Sequence, residues 1–244
     1  MSARQPAGRQ GHRARRALAM TVLVGAVAWA VLMTGIAWAG TIKGHVRFTG
    51  PVTELNPLPV TVDQYLCGKE KDAEDLVLSP QRGIKNAVVW LTSAPPGAKW
   101  GTSSGPVFLD QKQCVFTPRV VVVPVGGTVE FLNSDRLLHN IHSRSKGNPA
   151  FNRTQPKGRA IPITFTKPEI VRIDCDLHGW MRAWVVVAEH PFYAVTGADG
   201  EFALGSVPAG TYSLSVWQES LGTVTKDMTV GEADASVVIE MGRR

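Results

Sequence analysis

Three cysteines in 244 residues are too few for a disulfide framework; they allow one internal bridge and leave one thiol over. Beyond Ile42 no second apolar run is long enough to span a bilayer. Nor does any stretch there carry the periodicity of an amphipathic helix. Residues 1–39 contain no acid but five arginines, Arg4, Arg9, Arg13, Arg15 and Arg16. Of the 26 basic residues, 21 therefore lie beyond that segment, against all 20 acidic ones. The remainder is nearly neutral and has no basic stripe to follow a phosphate backbone, which excludes a nucleic-acid partner.

The amino-terminal segment has the form of an export signal. A basic stretch ends at Arg16, no charge follows from Ala17 to Ile42, and Ala37-Trp38-Ala39 offers a small-x-small cleavage site before Gly40. The same run is long enough to remain as an uncleaved anchor, the one membrane contact the sequence suggests. Arg15-Arg16 is followed by Ala17, Leu18 and Ala19, a poor match to twin-arginine export. Either way the expected location is periplasmic or extracellular, where disulfides are permitted. Cys67 and Cys114 have no histidine or methionine nearby, so the economical assignment is a Cys67–Cys114 bridge and a free thiol at Cys175.

Short runs rich in Val, Ile, Thr, Phe and Trp, separated by Gly, Pro, Asn and Asp, indicate an all-β fold. Strands are expected at 41–48, 86–92, 119–124, 128–133, 161–165, 170–175, 183–188, 201–204, 211–217 and 237–241. Residues 93–106 are a Pro/Gly/Ser-rich connector, and 143–160 a polar, basic loop. Gly101-Thr102-Ser103-Ser104-Gly105 matches the serine-hydrolase pattern G-x-S-x-G. It lacks the preceding strand and following helix which that motif needs, so it is a chance match.

The segment Asp174-Cys175-Asp176-Leu177-His178-Gly179-Trp180-Met181 sets a cysteine, a histidine and a methionine at three-residue intervals. Strand alternation puts Val171, Ile173 and Cys175 on one inward face, with Arg172 and Asp174 opposite. Gly179 is expected to let the backbone turn back, with Met181 opening the next strand. Thiolate, imidazole and thioether together favour copper, with methionine as a weak axial ligand; zinc would prefer a stronger fourth ligand. Asp174 reads as a solvated surface acid, whereas negative charge at Asp176 would lower a copper reduction potential. Trp180 fits either packing or partner contact.

Upstream, Phe116-Thr117-Pro118, then Gly127-Thr128-Val129-Glu130-Phe131-Leu132-Asn133, then His139-Asn140 follow in order. With the Cys175 loop, this resembles the cupredoxins (plastocyanin, amicyanin and relatives) over roughly residues 107–188. The two-residue gaps flanking His178 look like the short amicyanin loop. The resemblance implies a Greek-key sandwich and one copper ion held by His139, Cys175, His178 and Met181. It further implies that Asn140 hydrogen-bonds near the cysteine and ties the two ligand loops together. His142, an odd number of positions from His139, points to the other face. His45 and His190 have no ligand-like neighbours.

Residues 193–219 resemble the carboxypeptidase regulatory-like, or transthyretin-like, β-sandwich through Asp199-Gly200, Phe202, Leu204, Val207-Pro208, Gly210, Tyr212 and Leu214. Its opening strands are missing there, and 40–50 and 83–95 look like them. The expected organisation is a signal or anchor at 1–39 and a first transthyretin-like part at 40–104. The cupredoxin-like domain (105–188) follows, inserted before the remainder (189–244); the alternative is two sequential domains. The implied function is electron transfer with a redox partner such as a cytochrome or oxidoreductase, which would come with a flat apolar surface around an exposed histidine. No acid–base pair or open coordination position suggests an enzyme. The alternatives are a non-redox copper carrier with a more open site, or a protein- or glycan-binding module using the fold as scaffold.

Overall fold

The computed structural model describes residues 39–53, 55–101 and 105–243. The segment read as a signal or anchor lies outside them apart from Ala39, as do Thr102, Ser103 and Ser104. Among the described residues no helix is long and apolar enough to cross a membrane. Strands dominate, as the sequence leads one to expect, and the only helix among these residues is the single turn Gln64–Cys67.

Residues 107–188 form one sandwich. Its five-stranded sheet runs Asn152–Gln155, His139–Ser143, Glu169–Asp174, Arg182–Ala188, Val120–Pro124. The facing sheet runs Ile161–Thr164, Thr128–Asn133, Val107–Lys112, Val115–Thr117. Alternation decides what meets between them: Leu109, Val129 and Phe131 from one sheet pack with Ile141, Val171 and Ile173 from the other. The polar stretch after Ser143 is not all loop, because Asn152–Gln155 pairs as an edge strand with His139–Ser143.

A second sandwich is built from both ends of the described chain. Ala39–Thr49 lies between Glu201–Pro208 and Ala235–Gly242. Val88–Leu91 lies between Tyr193–Val195 and Gly210–Gln218, with Gly222–Val230 at the far edge. Ile42, Val46, Phe202, Leu214 and Val216 anchor its own core. Strands on either side of residues 107–188 in the chain thus share sheets.

The two sandwiches meet across a third buried cluster. The strand Arg182–Ala188 is almost continuously apolar because it is covered on both faces. Val185 and Val187 point into its own core, while Val186 points outward to join Val88 and Val120, with Trp184 and Trp217 packed alongside. Trp184 and Trp217 meet edge to face at 4.9 Å. Beside them Arg119 donates from Nε and Nη2 to the two oxygens of Glu219 at 2.8 and 2.9 Å. Both side chains are only 7% exposed. Removing the arginine leaves Glu219 as a buried, unpaired charge, so Arg119→Ala should lower unfolding stability by about 3–5 kcal/mol. Denaturant titration of that variant beside Glu219→Ala and the double variant checks this, the double being expected to cost less than the sum.

A second anchor holds the loop after the His139 strand. Burial works against the charge on Glu169, but it is outweighed by donors from Lys146 N–H, the Ser145 hydroxyl, Asn148 and Gly147 N–H. The carboxyl is held down at about 2. A lowered carboxyl contributes stability above its unfolded pKa and loses it as pH falls towards the folded one. Glu169→Gln should therefore cost about 1–2 kcal/mol at neutral pH. Melting profiles should converge with wild type as pH falls from about 4.5 to about 2.

Candidate metal centre

Cys175 follows directly on the strand Glu169–Asp174, in register with the inward-facing Val171 and Ile173, and is 1% exposed with no disulfide partner. The chain then turns within six residues. Met181 N–H donates to the His178 carbonyl at 2.8 Å, and Cys175 N–H to the Met181 carbonyl at 3.2 Å. This fold-back brings His178 Nδ1 to 3.6 Å from Cys175 Sγ. Gly179 is not what permits it: its φ is not positive, and a Cβ there would meet nothing within 4 Å. Met181 is 1% exposed within the same core cluster as Cys175.

His139 arrives from the adjoining strand, whose His142 and Ser143 pair with Asp174 and Ile173. Its Nδ1 lies 3.9 Å from Cys175 Sγ and 2.9 Å from His178 Nδ1. His139, Cys175 and His178 thus offer three donor atoms within 4.8 Å of one another, and both rings are 0% exposed. An exposed histidine, as an electron carrier was expected to show, is not found here.

The outer nitrogens of the two rings explain their orientation. His139 Nε2 lies 2.9 Å from Asp135 Oδ2, which also accepts Cys114 N–H at 2.8 Å. His178 Nε2 lies 3.0 Å from Asp63 Oδ2. A ring nitrogen facing a carboxylate oxygen donates, so both Nε2 carry hydrogen and both Nδ1 atoms face the centre of the site. Burial lowers the pKa of His139, against the raising effect of Asp135, and burial raises that of Cys175. The centre is a buried pocket that brings two ring nitrogens and a thiol sulfur towards one point. That chemistry fits a cation with a taste for imidazole and sulfur. The two sulfur–nitrogen separations suit donors about 2.0–2.3 Å from one ion, whereas the nitrogens would have to move slightly apart.

Around this core, Asn140 Oδ1 accepts from Cys175 Sγ at 3.3 Å and from Asp176 N–H at 2.7 Å, joining the two ligand segments. His142 turns away, its Nδ1 2.8 Å from Asp176 Oδ2, and that bond is the main cause of the lowered Asp176 pKa. Asp174 is no free surface acid: Arg144, Arg172 and Arg182 donate to it at 3.0, 3.0 and 3.3 Å. Trp180 packs its ring 5.2 Å from that of His178 and donates Nε1–H to the Cys114 carbonyl at 2.9 Å. Cys67 and Cys114 form a disulfide. Sequence reasoning missed Asp63 and Asp135; Asp135 stands four residues before His139, a usable signal, whereas Asp63 reaches the site only through the tertiary fold.

No family model matches the chain, and no curated protein matches it. Solved structures resemble part of it. A copper-containing nitrite reductase from Thermus scotoductus shares 30% identity over 39% of the chain with a TM-score of 0.34, and the match spans a quarter of that protein's length. A purple cupredoxin from Nitrosopumilus maritimus shares 22% over 34% of the chain and 99% of its own, with a TM-score of 0.30. A reduced amicyanin variant shares 26% over 41% and 98%, with a TM-score of 0.33.

Asn140→Ala removes the acceptor shared by Cys175 and Asp176 N–H and should destabilise the metal-free protein by about 1–3 kcal/mol. Urea unfolding in the presence of a chelator measures this.

Proposed function

We propose that the protein is an exported electron carrier that holds one copper ion through His139, Cys175 and His178, with Met181 as the weak axial ligand. The observation that carries this reading is the convergence of Cys175 Sγ and two histidine Nδ1 atoms in a fully buried pocket. Copper bound there supplies a one-electron change of oxidation state. The chain's own residues do the rest: they exclude water, fix the ring orientations through Asp135 and Asp63, and donate the Cys175 thiol to Asn140 until metal replaces its proton. A carrier that delivers copper calls for an open, exchangeable site, and these donors are closed over. The same closure leaves no place for a substrate, which favours electron transfer over catalysis.

In this reading residues 105–188 are a cupredoxin-like domain inserted into a transthyretin-like one formed by 40–104 and 189–244, as the shared sheets of the second sandwich support. Leu138 and Leu177, each next to a histidine of the site, are half exposed and suit an apolar contact with a partner such as a cytochrome or oxidoreductase. The disulfide is compatible with an oxidising compartment.

Full-length protein loaded with Cu(II) should show an intense thiolate-to-copper absorption band and a matching paramagnetic resonance spectrum, both lost in Cys175→Ser. Absence of stoichiometric copper, or binding without that band, overturns the proposal.

A further inference from the structure

Asp63 occupies an unexpected position for a site residue. It precedes the helical turn Gln64–Cys67, where an aspartate ordinarily caps the helix by accepting a backbone N–H through its side chain. It makes no such bond. Its backbone is left-handed, at φ 55°, a conformation that L side chains adopt at a cost. Its carboxylate instead reaches His178 Nε2 at 3.0 Å, across 115 positions of sequence. Local stability is given up at this turn, and what is gained is a contact with the ring.

The turn is firmly held. Asp63 O accepts from Leu66 and Cys67 N–H at 3.0 and 2.9 Å, and Gln64 Nε2 donates to the Val60 carbonyl at 2.6 Å. Cys67 is bonded to Cys114. Cys114 in turn directs its N–H to Asp135, the partner of His139, and its carbonyl to Trp180, whose ring packs on His178. One residue thereby connects the supports of both histidines, and the bridge attaches Asp63 to that assembly.

We propose that residues 59–71 form a lid fastened by the Cys67–Cys114 disulfide, and that Asp63 on this lid is a positioning residue. It fixes His178 with hydrogen on Nε2 and with Nδ1 facing the centre of the site, and it closes the pocket against exchange and solvent reagents. This rests on the copper reading for what the pocket holds, but not for the closure itself. The lid accounts for the burial of His178 and makes the centre one that loads and empties slowly.

Two measurements on the full-length chain separate these claims. In the metal-free protein Cys175 is the only free thiol, so its reaction with an aromatic disulfide reagent reports access to the pocket without reference to copper. Asp63→Ala and the Cys67→Ser/Cys114→Ser pair should each react at least about tenfold faster than wild type, and Asp63→Asn, which keeps an acceptor, should stay near it. In the copper form, loss of Cu(I) to a coloured chelator should accelerate about ten- to a hundredfold in Asp63→Ala, the usual cost of losing a carboxylate behind a ligand histidine. Asp63→Asn should keep slow release but show a raised reduction potential, a change that a merely structural role would not produce. Wild-type rates in Asp63→Ala overturn the lid, and because that variant keeps the disulfide, misfolding of the double-serine protein cannot obscure the result. If wild type binds no copper, the copper reading falls while the thiol reaction still decides the lid.

Discussion

Two imidazole nitrogens 2.9 Å apart need a proton or a metal ion between them, because facing lone pairs repel. That constraint organises this protein. Asp135 and Asp63 fix the outer nitrogens as donors, so neither ring can relieve the conflict by turning over. A proton shared between the two Nδ1 atoms would satisfy the pocket, as would, on the copper reading, the metal ion. Burial opposes the charged form of His139, and the two carboxylates support it. Cys175 adds a third donor atom, and burial raises the pKa of its thiol.

Holding such a conflict in place requires a stiff frame, and the sheet supplies one. Cys175 and His139 come from neighbouring strands, so ladder hydrogen bonds set their separation and core packing sets their direction. The neighbouring strand Arg182–Ala188 is buried on both faces, one against its own sandwich and the other against the second. The second sandwich therefore serves the site at a distance, by bracing the sheet that carries it. The bidentate Arg119–Glu219 contact pins that arrangement at its margin.

Much of this was legible in the sequence because alternation is a strong signal wherever one face of a strand is buried. Ile173 and Cys175 read as inward and are inward; the apolar run 183–188 reads as a strand and is the doubly covered one. Strands escaped notice where burial does not impose that pattern. Gly222–Val230 lies at a sheet edge with mostly exposed residues, and Asn152–Gln155 is a polar edge strand inside what reads as a loop. His139–Ser143 escaped for the opposite reason, since Ile141 is its only buried apolar residue and His139, Asn140 and Ser143 are buried polar ones. Asp63 was invisible because nothing local marks a carboxylate aimed at a ring 115 residues away.

The charge around the centre was also only half legible. Asp174 and Asp176 flank Cys175 in sequence and invite the inference that they depress a copper potential. Asp174 instead lies among three guanidinium groups, which cancel its field at short range. Asp176 is shared by His142, Arg144 and Asn152, yet its charge still helps to raise the pKa of the Cys175 thiol. Asp63 and Asp135 are the carboxylates that touch the rings, and neither has a lysine or arginine among its hydrogen-bond partners. Asp135 is largely buried and little screened, whereas Asp63 is 36% exposed and partly screened by solvent; the charge of each favours the protonated form of His139. On the copper reading, the acids behind the histidines therefore join Asp176 beside the cysteine in setting the redox poise of the centre.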